Sequence, residues 1–426
     1  MITFIVGILL VLLFLGVPVA FSLAITGMAV LYYFDLASLD FIPQTMFSSL
    51  NSFTLLCIPF FIFAGNIMMK GELARYILDF MSGATRRIYG GKGIAITFTA
   101  ALFGAITGSS VACTAAVGTV GYPFLEEEKY NSGFSQALIA TVGALGIMIP
   151  PSLVFILIGA VTGVSIPQMF VAGVIPGLFE TLIIAVFIYI VARKYKFGVR
   201  GNFNTFKEWI RSFGRAFYAI LMPIIILGGI YSGLFTPTEA AAVAAVYALI
   251  VAAFVYKKMS WQDFNRILIE SATSTAMVLI VVVGAMIFGY ACTYARLPII
   301  ISESIAAAGL SAWQFLAVIT VFFLFLGCFL DGISLVLITA PILYPILPSM
   351  GIDPIHFAVI ICTLIEIAQI TPPVGLNMFV MSAVAKSPIQ VQMRWIPGFF
   401  IIRLISVLTI VYVPWLSLWL VKIIYS

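Results

Sequence analysis

Charge is what this chain has least of. Only 9% of its 426 residues are Asp, Glu, Lys or Arg, 63% are hydrophobic, and the mean hydropathy is +1.20. Soluble globular domains carry roughly a quarter charged residues, so that class is excluded and an integral membrane protein is implied. Histidine occurs once, at His356 ahead of a predicted span. With no second imidazole to share a metal, it reads as an interfacial residue. The five cysteines, Cys57, Cys113, Cys292, Cys328 and Cys362, stand singly without CxxC spacing. This argues against a disulfide framework or a zinc site and assigns them to packing. No GxxxxGK[ST] stretch is present, so ATP hydrolysis by this chain has no support. An intramembrane aspartyl protease needs two aspartates within spans, and only Asp331 qualifies. The first apolar segment, residues 2–34, lacks a basic leader and is too long for a signal-peptide core. It is expected to stay in the mature protein as one long or kinked span.

What is there in abundance is apolar helix. Runs near the ~20 residues that cross a bilayer recur along the chain, and alternating strand patterns do not. The expected fold is an all-α polytopic membrane protein, one transporter domain over residues 1–426. Basic loops orient it. Arg193 to Arg215 holds seven Lys/Arg against one Glu, and Lys70 to Lys92 holds five, placing both in the cytoplasm. Such clusters beside spans read as topology signals and not as nucleic-acid sites. Counting from them, Gly93 to Leu125 starts and ends inside, and its 33 residues are too few for two full crossings with a turn. A re-entrant hairpin with Gly108-Ser109-Ser110 at its tip fits. By the same count Trp313 to Pro348 has both ends outside, with Asp331-Gly332 at its tip. The alternative is that each hairpin is two short, tilted, complete spans.

The two halves match. Tyr122-Pro123 and Tyr344-Pro345 lie 222 positions apart, as do Pro150-Pro151 and Pro372-Pro373, while Ile175-Pro176-Gly177 and Ile396-Pro397-Gly398 lie 221 apart. The matched spans run in opposite directions, so the halves form inverted repeats over 54–192, with hairpin 93–125, and 216–421, with hairpin 313–348. Secondary transporters built this way hold substrate and ions at discontinuous helices near the midplane. The proline pairs would be those unwound points, offering free carbonyls to a cation and half-helix N-termini to an anion.

Few residues are able to carry chemistry. Asp331 sits among Phe, Leu and Ile at the second tip, and an ionisable group at membrane depth usually faces a cavity or a partner. It reads as a cation ligand, as the cap of the following helix, or as both. Ser109 and Ser110 offer hydroxyls and carbonyls, which suit a weakly held hard cation such as Na+. Arg296 either snorkels at the interface or grips a carboxylate with two hydrogen bonds. Glu180 and Glu366 lie inside spans, as proton sites or packed against neighbouring hydroxyls. Glu239 opens a helix and stabilises its first turn. Thr119 to Tyr122 shares TVGY with potassium-channel filters, but Pro123 replaces the final glycine and the second half lacks the motif.

GSSVA at one tip, PIIILGGIYSGLFTPTEAAAVAAVYAL, GCFLDGIS and ITPPVGLNMFV together resemble the large membrane subunit of tripartite ATP-independent periplasmic (TRAP) transporters, over essentially the whole chain. The resemblance implies a bacterial inner-membrane, Na+-coupled importer of organic acids with an elevator motion. It also implies two partners, a small four-helix membrane subunit, expected as a separate chain, and a soluble periplasmic substrate-binding protein. Carried over by position, one Na+ site would involve Ser109 with carbonyls near Gly146 and Pro150, and a second Asp331 with carbonyls near Ala368 and Thr371. The substrate would lie between Ser110, Ser152 and Arg296. C4-dicarboxylates, sialic acid, other sugar acids and ectoine are carried by such systems, and nothing in this chain selects among them.

Overall fold

The computed structural model describes residues 1–36, 41–198 and 206–425; part of the basic loop Arg193 to Arg215 therefore lies outside the described residues. The regular secondary structure of the described residues is all helical, with no strand. Six helices among them are long and apolar enough to cross a membrane, or seven if the bent pair Ile396–Tyr412 and Trp415–Tyr425 counts as one. The longest are Ile166–Tyr195, with 30 residues, and Trp261–Tyr294, with 34. At 1.5 Å per residue the latter is about 51 Å long.

The N-terminal segment departs from expectation. It is not one kinked span but two helices, Ile2–Phe14 and Val19–Tyr33, folded back on each other so that Phe4 stacks on Tyr33 with ring centroids 5.0 Å apart. Gly16, at a φ of +77°, and Pro18 make the reversal, one by reaching the left-handed region and one by denying a backbone donor. Val19–Tyr33 then packs along Trp261–Tyr294 at glycine positions. A Cβ on Gly27 would lie 3.0 Å from Ile287, and one on Gly284 would overlap the Ala20 carbonyl. Close backbone approach at small residues is how membrane helices gain contact when lipid is as apolar as their side chains.

Two pairs of consecutive helices form hairpins. The first is Gly91–Thr107 and Ser110–Glu126; the second is Ala312–Gly327 and Gly332–Leu343, continued by a tight turn of helix over Tyr344–Met350. Each is followed by a broken helix, Ser132–Gly143 with Leu153–Thr162 and Pro354–Ala368 with Leu376–Ala385. Cis Pro150-Pro151 and Pro372-Pro373 lie in the two breaks. The broken helices touch across the halves, where the Asn377 Nδ2 donates to the Ala140 carbonyl at 3.0 Å. Neither half of either broken helix exceeds 15 residues, short of the ~20 that span a bilayer alone.

Candidate functional site at the paired hairpin tips

Capping chemistry sets each tip. Gly91–Thr107 ends at Gly108, whose φ of +60° suits glycine, and extended Ser109 then starts the second arm. A Cβ on Gly108 would stand 2.9 Å from the Pro151 carbonyl, and the Leu153 N–H donates to the Gly108 carbonyl at 3.3 Å. The tip is thus pressed onto the break that follows it. The second half repeats this, with the Val374 N–H donating to the Cys328 carbonyl at 3.2 Å.

The caps themselves differ. The Ser109 hydroxyl accepts the Ala112 N–H at 3.5 Å, a long bond from a neutral group. Asp331 accepts the N–H groups of Ile333 at 3.1 Å and Ser334 at 3.2 Å through one carboxylate oxygen, and the Ser334 hydroxyl donates to the other. The cap reading of Asp331 is therefore met directly. Both tips line one cavity of about 90 Å³, bounded by Ser109, Ser110, Asp331, Gly332 and Gln369 with apolar neighbours including Ile147 and Leu153. Two helix N-termini open onto it, and such ends carry partial positive charge.

The other expected site residues divide. Ser152 starts Leu153–Thr162 fully buried, with a hydroxyl that has no hydrogen-bond partner. Gly146 lies against the first tip, since a Cβ there would be 3.1 Å from the Ser109 carbonyl. Pro150 is buried in the same break. Beside the second break the Thr371 hydroxyl donates to the Ile367 carbonyl at 2.6 Å, and the Thr371 N–H to the Ala368 carbonyl at 3.1 Å. These breaks present carbonyls and hydroxyls, the donors that a hard cation such as Na+ takes. Among the described residues no three His, Cys, Asp or Glu side chains are grouped to share a metal. Arg296 stands apart. It is exposed, in a left-handed conformation ahead of Leu297–Ala307, and does not line the cavity between the tips.

Two groups escaped the sequence reading. Gln369, 5% exposed, reaches the cavity. Arg403 is fully buried and holds both intramembrane glutamates, its Nη1 lying 3.0 Å from Glu180 and 3.1 Å from Glu366. Arg403, not a neighbouring hydroxyl, is thus their partner. The signal was present, because an arginine inside FFIIRLISVL calls for a counter-charge. His356, in the first turn of Pro354–Ala368, is buried within the protein, its ring nitrogens 3.1 Å from the Ser417 hydroxyl and 3.3 Å from the Val411 carbonyl. Glu239 does stabilise its helix start, in a reciprocal cap with Thr236.

Residues 6–416 match the family model described as "Tripartite ATP-independent periplasmic transporter, DctM component". The chain belongs to this family. It is 40% identical over 397 residues to a C4-dicarboxylate TRAP transporter large permease protein of Pseudomonas aeruginosa, covering 93% of each chain. It is 33% identical over 401 residues to a sialic acid TRAP transporter large permease protein of Vibrio cholerae, covering 93% of this chain and 94% of that one. A solved transporter, YdaH of Alcanivorax borkumensis, superposes with a TM-score of 0.64 over 88% of both chains at 14% identity, a likeness of fold alone. This DctM-family chain is accordingly a multi-pass protein of the bacterial inner membrane and a transport subunit, not an enzyme.

Proposed function

We propose that this permease imports an organic acid by coupling its movement to Na+. The cavity between the hairpin tips carries the reading, because it joins two helix N-termini, which attract an anion, to two helix breaks rich in carbonyls and hydroxyls, which suit a cation. Relatives named for C4-dicarboxylate and for sialic acid, both carboxylates, support the cargo class. Na+ would be held by Ser109 with carbonyls near Gly146 and Pro150, and by Asp331 with carbonyls near Ala368 and Thr371. There it supplies positive charge that offsets the cargo's own. Ser110, and Ser152 with its unpartnered hydroxyl, would meet the cargo, while Arg296 would join them only in another arrangement of the chain. We read the halves, 54–192 and 216–421, as inverted repeats with hairpins re-entrant from opposite faces. In this reading hairpins and broken helices move together, as in an elevator, against the remaining spans. A small four-helix membrane subunit and a periplasmic binding protein would complete the tripartite system that the family's name describes.

Proton coupling through Glu180 or Glu366 is the weaker reading, since both are taken up by Arg403 and neither lines the cavity. The test is uptake of a labelled organic acid by vesicles holding this chain and its two partners. Accumulation is expected with an inward Na+ gradient and no proton gradient. Accumulation with a proton gradient alone, indifferent to Na+, would overturn the reading, and flux at channel rates without coupling would overturn active transport altogether.

A further inference from the structure

The cavity is electrostatically lopsided. At the first tip a neutral serine caps the helix, leaving the positive N-terminal end of Ser110–Glu126 uncompensated. At the second, the Asp331 carboxylate already satisfies three donors and cancels that end. A carboxylate in the cavity therefore finds its complement at the first tip, and whatever faces the second half must suit a site that is already acidic.

Gln369 stands on that second side. Its backbone is fixed on both flanks, its N–H donating to the Ile365 carbonyl at 3.0 Å and its carbonyl accepting the Asn377 N–H at 3.1 Å. The Nε2 end lies against Gly332, 3.4 Å from where a Cβ would stand, which places amide hydrogens beside the acidic tip. The Oε1 end is buried and has no hydrogen-bond partner. Native proteins leave few such acceptors unpaired, and a ligand donor is one way to complete them. The repeat does not explain this residue, because the position 222 earlier is Ile147, which lines the same cavity and offers nothing polar.

We propose that Gln369 is a specificity-determining residue whose Oε1 accepts a hydrogen bond from a hydroxyl of the cargo, so that the permease favours hydroxylated acids over unsubstituted ones. The proposal rests on the organic-acid reading above. A cargo with acceptors alone leaves Oε1 unpaired. A hydroxy acid places its carboxylate at the Ser110 end and its hydroxyl proton on Oε1.

Ligand-induced thermal stabilisation of the purified permease with its small subunit, in Na+, tests this with matched probes: L-malate against succinate, and gluconate against hexanoate. The expected result is a response to each hydroxylated member at about tenfold lower concentration than to its partner, the scale of one hydrogen bond. Gln369→Leu should erase the preference while both acids of a pair still bind weakly. Gln369→Met, unbranched and of similar length but without an acceptor oxygen, should erase the preference as well and guards against a Leu variant that does not fold. Equal responses within each pair, or a preference that survives Gln369→Leu, would overturn the role of Gln369 and leave the organic-acid reading standing. Stabilisation by an uncharged polyol such as sorbitol, with none by any carboxylate, would instead overturn that underlying reading.

Discussion

The two hairpins are built to one plan and finished differently. Both press a tip onto the break of the following helix through a backbone hydrogen bond, Leu153 to Gly108 in one half and Val374 to Cys328 in the other. Each first arm also passes that broken helix at a glycine, Gly104 against Gly146 and Gly327 against Ala368. The differences lie in chemistry. One tip is capped by a neutral serine and the other by a carboxylate, and one side of the cavity offers Ile147 where the other offers Gln369. The backbone repeats between the two tips, and a few side chains around the cavity diverge.

The largest effect is expected where the halves are tied without any symmetry. Glu180 belongs to the first half and Glu366 and Arg403 to the second, and the positions related to them by the repeat spacing, Ile401, Ala144 and Leu182, are apolar. Arg403→Leu would strand two fully buried carboxylates, and breaking a buried ion pair in this way costs about 3–5 kcal/mol. A large fall in the detergent melting temperature, or loss of folded protein on gel filtration, is expected. Replacing Glu180, Glu366 and Arg403 together with Leu should restore most of the loss, because the stranded charge is gone. An Arg403→Leu variant as stable as its parent would show that the triad does not hold the halves together.

This triad also marks the limit of what was legible in advance. The hairpins, the broken helices and the close relation of the halves could be read because proline and glycine act locally, each forcing or permitting a backbone state that shows in the sequence. Asp331 was legible as a cap for the same reason, whereas the capping role of Ser109 was not read from the sequence. Partners far apart along the chain were not. Nothing near Glu180 announces Arg403, more than two hundred residues away, and only the rule that buried charges pair would have suggested seeking it. Gln369 was overlooked because a lone glutamine before ITPP has no pattern of its own. The reversal within residues 2–34 is hard to see in the sequence, because the apolar run is continuous on both sides of Gly16 and Pro18 and masks the turn they make.

An intermediate effect is expected at the paired glycines. A Cβ on Gly104 would lie 2.6 Å from the Gly146 Cα, and one on Gly327 would overlap the Ala368 Cβ. Gly104→Ala and Gly327→Ala should each destabilise by about 1–3 kcal/mol, as overpacking does. They part company on rescue. Ala368→Gly should relieve Gly327→Ala, since it removes the methyl in the way, whereas the partner of Gly104 is already glycine and has nothing to give up. Melting temperatures of the two single variants and of the Gly327→Ala, Ala368→Gly double variant decide the matter. Failure of the double variant to recover would mean that the Ala368 methyl is not what Gly327 makes room for.

The smallest effect on stability, and the most informative about function, is expected at the caps. Ser109→Ala removes one 3.5 Å hydrogen bond and should cost well under the ~1 kcal/mol of a good cap. Asp331→Asn keeps a side-chain oxygen able to accept from the Ile333 and Ser334 N–H groups, and puts an amide nitrogen, which donates to the Ser334 hydroxyl, where the other oxygen accepted from it, so its melting temperature should fall by a few degrees at most. If Asp331 were a cap and nothing more, the two variants would transport alike. If its carboxylate also serves a cation beside the second break, Asp331→Asn should raise the Na+ concentration for half-maximal uptake severalfold without further loss of stability. Ser109→Ala should do so more weakly, because a hydroxyl contributes one neutral ligand where a carboxylate contributes charge. A Na+ dependence unchanged in Asp331→Asn would remove Asp331 from the ion site and leave it as the stronger of two caps.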